Sequence, residues 1–140
     1  MPARRVSTKE ALAVLVIDDD FDARTIYGEY LRTKGCVVFT APDGRTGLTK
    51  INELTPDVIV LDLAMPRVDG WTVLKHVRQS SLTRNIAIVV VSALNDARDS
   101  AFAAGCDAYL MKPCDPQVLY LQIRALARFQ DEARAERSFV

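Results

Sequence analysis

The chain has 140 residues, 49% of them apolar and 26% charged, a balance that fits one domain with a real core. Its 18 lysines and arginines match its 18 aspartates and glutamates. That excludes a general nucleic-acid or membrane-surface binder, whose affinity would come from clustered positive charge.

The first ten residues read as a loose tail; MPARRVSTKEA is basic but has no apolar stretch behind it of the signal-peptide kind. LAVLVI (12–17) is the first expected strand and runs into Asp18-Asp19-Asp20. DARTIYGEYLRTKG (22–35) carries Ala23, Ile26, Tyr27, Tyr30 and Leu31 at helical spacing and stops at Gly35. CVVFT (36–40) is the second strand and DGRTGLTKINELT (43–55) the second helical segment. DVIVL (57–61), the third strand, runs straight into Asp62, and DGWTVLKHVRQSS (69–81) follows as helix. IAIVVV (86–91) leads into Ser92, and NDARDSAFAAG (95–105) is a helical segment closed by Gly105. AYLM (108–111) leads into Lys112-Pro113; Asp115-Pro116 then caps and opens a last helix through QVLYLQIRALARFQ. Residues 11–129 form the expected domain, and residues 130–140 extend that helix or form a tail.

Several strand candidates are apolar at consecutive positions, as strands covered by helices on both faces should be. Strand then helix, five times over, implies an α/β fold with a mainly parallel sheet and right-handed crossovers. No apolar run approaches the roughly 18 residues that span a bilayer, so a cytoplasmic protein away from the membrane is expected.

Ligands of an open parallel sheet bind beyond the carboxyl ends of its strands. Those ends supply Asp18, Asp19 and Asp20 from the first strand, Asp62 from the third, Ser92 from the fourth and Lys112 from the fifth. Carboxylates held together resist ionising without a cation, and hard oxygen ligands with room for water suit Mg²⁺. Lys112 can then pair with Asp62 or with an oxygen of an incoming phosphoryl group, and Ser92 can donate to another. Phosphoryl transfer needs mainly this kind of positioning and charge neutralisation.

The four segments VLVIDDD, VIVLDLAMPRVDGW, IVVVSA and AGCDAYLMKP, in that order and each at a strand end, resemble the receiver domain of bacterial two-component response regulators over about residues 11–129. The resemblance implies a flavodoxin-like (βα)5 fold, a doubly wound five-stranded parallel sheet in the order 2-1-3-4-5. It implies that Asp62 accepts a phosphoryl group from a sensor histidine kinase or a histidine phosphotransfer protein in a Mg²⁺-dependent reaction. Asp19 is then a direct metal ligand, Asp18 assists partly through water, and Ala64 offers its backbone carbonyl. Ser92 and Tyr109 become a switch pair, the hydroxyl moving to the phosphoryl group as the ring turns inward. Lys112 binds the phosphoryl group, and Pro113 follows a cis peptide bond that aims the lysine.

Other features have plainer readings. Asp20 and Asp22 read as caps of the first helix, and His76 as a solvated helix residue. Gly44 and Gly47 lack the Gly-Lys-Ser/Thr of a nucleotide-binding loop. Cys36, Cys106 and Cys114 show no spacing for a disulfide framework or a zinc site. Cys114 departs from the family, where phenylalanine often follows the Lys-Pro pair. Ala64 and Leu94 are apolar where polar side chains can orient an attacking water, so a long-lived acyl phosphate is expected. A phosphohydrolase would want a general acid at position 64, which is alanine, and a decayed receiver would not keep the acidic pair, Ser92 and Lys112. The expected role is therefore a phosphoacceptor signalling domain rather than an enzyme, without direct nucleic-acid binding by this chain. It acts as a monomer or phosphorylation-dependent dimer, through the face of the fourth helix, fifth strand and fifth helix, toward a downstream protein.

Overall fold

The computed structural model describes residues 11–137 of the chain, with side chains through residue 131; the expected tail at residues 1–10 lies outside the described residues. Five strands alternate with five helices: β1 (Ala13–Ile17), α1 (Phe21–Thr33), β2 (Val37–Ala41), α2 (Gly44–Leu54), β3 (Val58–Leu61), α3 (Gly70–Gln79), β4 (Ala87–Ser92), α4 (Arg98–Ala104), β5 (Ala108–Met111) and α5 (Pro116–Arg137). The strands form one sheet in the order β2-β1-β3-β4-β5, every pair parallel. This is the flavodoxin-like arrangement expected from the resemblance.

Side chains of a strand point alternately to its two faces, and here each face has its own core. Leu15, Ile17, Ile59, Leu61, Ile88 and Val90 pack with Ile51 of α2, Val73, Leu74 and Val77 of α3, and Ala101 of α4. Their neighbours Val14, Val16, Val58, Val60, Val89 and Val91 pack with Ala23, Tyr27 and Leu31 of α1 and Leu119 and Ile123 of α5. Two buried faces explain why the central strands show no polar alternation.

The helix ends follow local chemistry. Asp20, Asp43 and Asp69 cap α1, α2 and α3 by accepting from backbone N–H groups of Asp22, Thr46 and Thr72. Asp115 accepts from the Gln117 N–H at the start of α5. Gly105 ends α4 with φ 115°, a left-handed backbone that favours glycine.

Four strands begin one residue later than the apolar runs suggested, at Ala13, Val37, Val58 and Ala87. At β3 the strand start is clasped to β1 twice: the Asp57 N–H donates to the Ala13 carbonyl at 2.8 Å, and the Asp57 carboxylate accepts from the Ala13 N–H at 2.8 Å in place of a backbone carbonyl. The fourth helical segment is shorter than expected, because Ala97 stands at its N-cap and offers no side-chain acceptor. Among the described residues no helix is long and apolar enough to cross a membrane.

Candidate functional site

β1 and β3 are adjacent in the sheet although they are not consecutive in the chain, and strand order reverses between them. The register pairs Ile17 with Leu61, so the next residues, Asp18 and Asp62, stand side by side at the carboxyl rim. The Asp62 N–H donates to the Ile17 carbonyl at 3.0 Å, fixing the two strand tips. Both residues are buried, Asp18 to 2% exposure and Asp62 to 5%, while Asp19 is exposed.

Burying two like charges together costs far more than either gains alone. Lys112, from the end of β5, reaches across to both: its Nζ lies 2.8 Å from Asp18 Oδ2 and 3.1 Å from Asp62 Oδ2. Burial pulls the Lys112 ammonium down, but the hydrogen bond to Asp18 and the charges of both carboxylates outweigh it, so the net shift is upward and the group stays charged. Burial pushes the Asp62 carboxyl up, offset in part by the Ala64 N–H and by Lys112. The remaining oxygens are also held. Asp18 Oδ1 accepts from the Asp20 N–H at 2.9 Å, and Asp62 Oδ1 from the Ala64 N–H at 3.0 Å.

Carboxylate oxygens of Asp18, Asp19 and Asp62 all lie within 4.8 Å of one another. Three carboxylates against one ammonium leave the rim net negative, and an all-oxygen donor set suits a hard divalent cation. Ala64, two residues beyond Asp62, is exposed.

Ser92 is fully buried at the end of β4, one strand away from Asp62, and its Oγ accepts from the Leu94 N–H at 3.2 Å. Its carbonyl accepts from the Lys112 N–H at 2.9 Å, which ties β5 to the same rim. Tyr109 is 6% exposed, and its hydroxyl donates to the Leu94 carbonyl. The Lys112–Pro113 bond is cis.

Asp20 and Asp22 stand at the start of α1, Asp20 as its cap. His76 is exposed in the last turn of α3. All three cysteines are free, and burial pushes their thiols up, Cys106 to about 11, which keeps them protonated.

One residue of the site escaped sequence reasoning. A Cβ on Gly70 would come within 2.3 Å of the Asp62 carbonyl oxygen and 2.5 Å of the Leu63 Cα. Only glycine lets the first turn of α3 rest on the backbone that carries Asp62, and the Gly70 N–H donates to the Leu63 carbonyl at 3.1 Å. The signal was the Asp-Gly pair of MPRVDGW, which on sequence alone reads as a turn and a helix start.

The family model for the response regulator receiver domain matches residues 14–124. RpaA of Synechocystis sp., described as a DNA-binding dual master transcriptional regulator, is 37% identical over 120 residues, which cover 84% of this chain and 50% of that protein. The receiver domain of Francisella response regulator 1452 superposes with a TM-score of 0.79 at 30% identity, covering 85% of this chain and 98% of that one. The Vibrio cholerae chemotaxis protein CheY4 gives 0.77 at 29%, covering 83% and 98%. The chain spans about half the length of the first curated relatives it matches.

Proposed function

The chain belongs to the response regulator receiver domain family of two-component signalling, and from that premise we propose that it carries a phosphoryl group on Asp62, taken from a histidine kinase or a histidine phosphotransfer protein. The observation that carries this reading is Lys112, hydrogen-bonded at once to the two buried carboxylates of adjacent strand tips, with a third carboxylate within 4.8 Å.

In the reaction an Asp62 carboxylate oxygen attacks the phosphorus of a phosphohistidine. The new P–O bond forms as the P–N bond breaks, and the electron pair stays on the imidazole nitrogen of the donor. Ionisation of Asp62 is held against burial by the Ala64 N–H and by Lys112. Asp18, Asp19, Asp62 and the Ala64 carbonyl are the residues that would hold Mg²⁺, which supplies charge neutralisation for the phosphoryl oxygens. The Lys112 ammonium would donate a hydrogen bond to a phosphoryl oxygen, and the Ser92 hydroxyl to another.

A turn of the Ser92 hydroxyl toward the phosphoryl group releases the Leu94 N–H, and Tyr109 is bonded to the carbonyl of the same residue, in the next peptide unit. The α4–β5–α5 face then repacks toward a downstream protein or a second copy. Phe102 of α4, Met111 of β5 and Val118, Leu121 and Phe129 of α5 are exposed apolar side chains on these elements. The site handles its own phosphoryl group and no other substrate, with no nucleic acid read by this chain, in a cytoplasmic setting that suits its free thiols. The test is phosphotransfer from a panel of autophosphorylated kinase domains, then a pull-down with the two forms of the chain. Capture of the same proteins by both forms contradicts the switching role.

A further inference from the structure

β2 is an edge of the sheet and pairs with β1 alone. The Val37 N–H donates to the Leu12 carbonyl, and the Ala41 carbonyl accepts from the Asp18 N–H. Backbone groups of a strand face alternate sides, so Val38 and Thr40 turn theirs outward, away from the sheet. Such an edge is a template for another strand. Residues 36–41, CVVFTA, make it a strong one, being apolar or β-branched throughout with no charge and no proline. The strand itself therefore carries nothing that repels a partner, and Val37 is 48% exposed on it.

Protection comes from the helices instead. Arg32 of α1 donates from Nη2 to the Val38 carbonyl at 3.0 Å, and Lys50 of α2 donates from Nζ to the Thr40 carbonyl at 2.6 Å. α1 and α2 pack on opposite faces of the sheet, so the two cations close over the edge from both sides. Neither belongs to the cluster of Asp18, Asp19, Asp62 and Lys112. An antiparallel copy of β2 centred on Phe39 would set Val38 of each chain against Thr40 of the other. Each of its contacts needs one of the carbonyls already taken, and the approach brings like charges together.

We infer that the β2 edge is a self-pairing surface for a second copy of the chain, held closed by Arg32 and Lys50. The inference is independent of the phosphoacceptor assignment, since it concerns the unphosphorylated chain and residues outside the carboxylate rim.

The test compares wild type with a double variant, Arg32→Ala with Lys50→Ala, by sedimentation equilibrium over a concentration series without phosphodonor. Amide hydrogen exchange reports which backbone groups pair. The double variant should self-associate at least about tenfold more tightly than wild type. It should do so although the loss of two positive charges from a chain with 18 of each sign adds repulsion between copies. Exchange of its Val38 and Thr40 amides should slow as concentration rises, while in wild type it stays fast throughout. Lys75→Ala with Arg84→Ala removes the same charge from exposed positions elsewhere and should behave as wild type. Each single alanine variant leaves one carbonyl covered and should show part of the effect, so the inference stays testable if the double variant does not fold. Single and double variants that associate no more tightly than wild type overturn it. So does association that leaves the Val38 and Thr40 amides exchanging fast, or that the Lys75 and Arg84 control reproduces. A wild type whose two amides already slow with concentration also overturns it, because the edge would then be open despite both cations.

Discussion

Ser92 and Tyr109 are joined through a single residue. Leu94 gives its N–H to Ser92 Oγ at 3.2 Å, and its carbonyl accepts from the Tyr109 hydroxyl. Under the proposed switch, a movement of the Ser92 hydroxyl would reach the ring of Tyr109 through backbone atoms, and the Leu94 side chain is left to pack against the core. Such a relay would need no polar group at position 94.

That apolar side chain has a kinetic consequence. Ala64 is exposed and Leu94 half-buried, and neither can orient a water against an acyl phosphate on Asp62. The phosphorylated chain, freed of donor, should hold its label for many minutes, and Ala64→Asn should shorten that lifetime. Decay of the wild type within seconds contradicts the expectation.

Lys112 is the common partner of Asp18 and Asp62. Lys112→Met leaves both carboxylates buried against each other, and folding stability near pH 7 should drop by about 1–3 kcal/mol, a figure kept modest because the lysine is partly exposed. Mg²⁺ should restore part of the loss by mass action, since the folded state alone assembles its ligands. Urea midpoints with and without Mg²⁺ measure both effects. A variant as stable as wild type without Mg²⁺ would show that the carboxylates do not depend on the ammonium.

Asp43 gives a pH dependence away from the rim. Its Oδ1 accepts from the Thr46 N–H at 2.7 Å, and that bond, aided by the Thr46 side chain, holds its carboxyl below the usual carboxylate range. Because the folded pKa is depressed, the stability is fully present above the unfolded value of about 3.9 and is lost as pH falls through the folded one. Asp43→Ala should cost about 1 kcal/mol near neutrality, and the gap should close in acid. Asp43→Asn, which keeps an acceptor oxygen, should lose little at either end. Denaturant midpoints across the acid range check the sign; a gap that widens on acidification is the opposite result.

Much of the architecture was legible because each chemical residue sits next to a strand run: Asp18 after LAVLVI, Asp62 after DVIVL, Ser92 after IAIVVV and Lys112 after AYLM. A parallel sheet brings all such ends to one rim, so order along the chain became proximity in space. Contacts carried by backbone left no comparable mark. The rest of α3 on Asp62 shows in sequence only as the absence of a side chain at Gly70, and the bridging role of Leu94 belongs to its peptide groups. Strand starts were misplaced because Leu12, Cys36 and Ile86 extend the apolar runs beyond the strands, although Leu12 still gives its carbonyl to the Val37 N–H. At the fourth helix, the expected segment began at Asn95, yet the chain turns into helix only after Ala97.

The phosphoacceptor assignment is tested most directly by incubating the chain with monophosphoimidazole, with and without Mg²⁺, and mapping the labelled residue by borohydride reduction. One phosphoryl group should appear on Asp62, only with Mg²⁺, and none on a folded Asp62→Asn variant. Label on another residue, or uptake indifferent to Mg²⁺, would contradict the account.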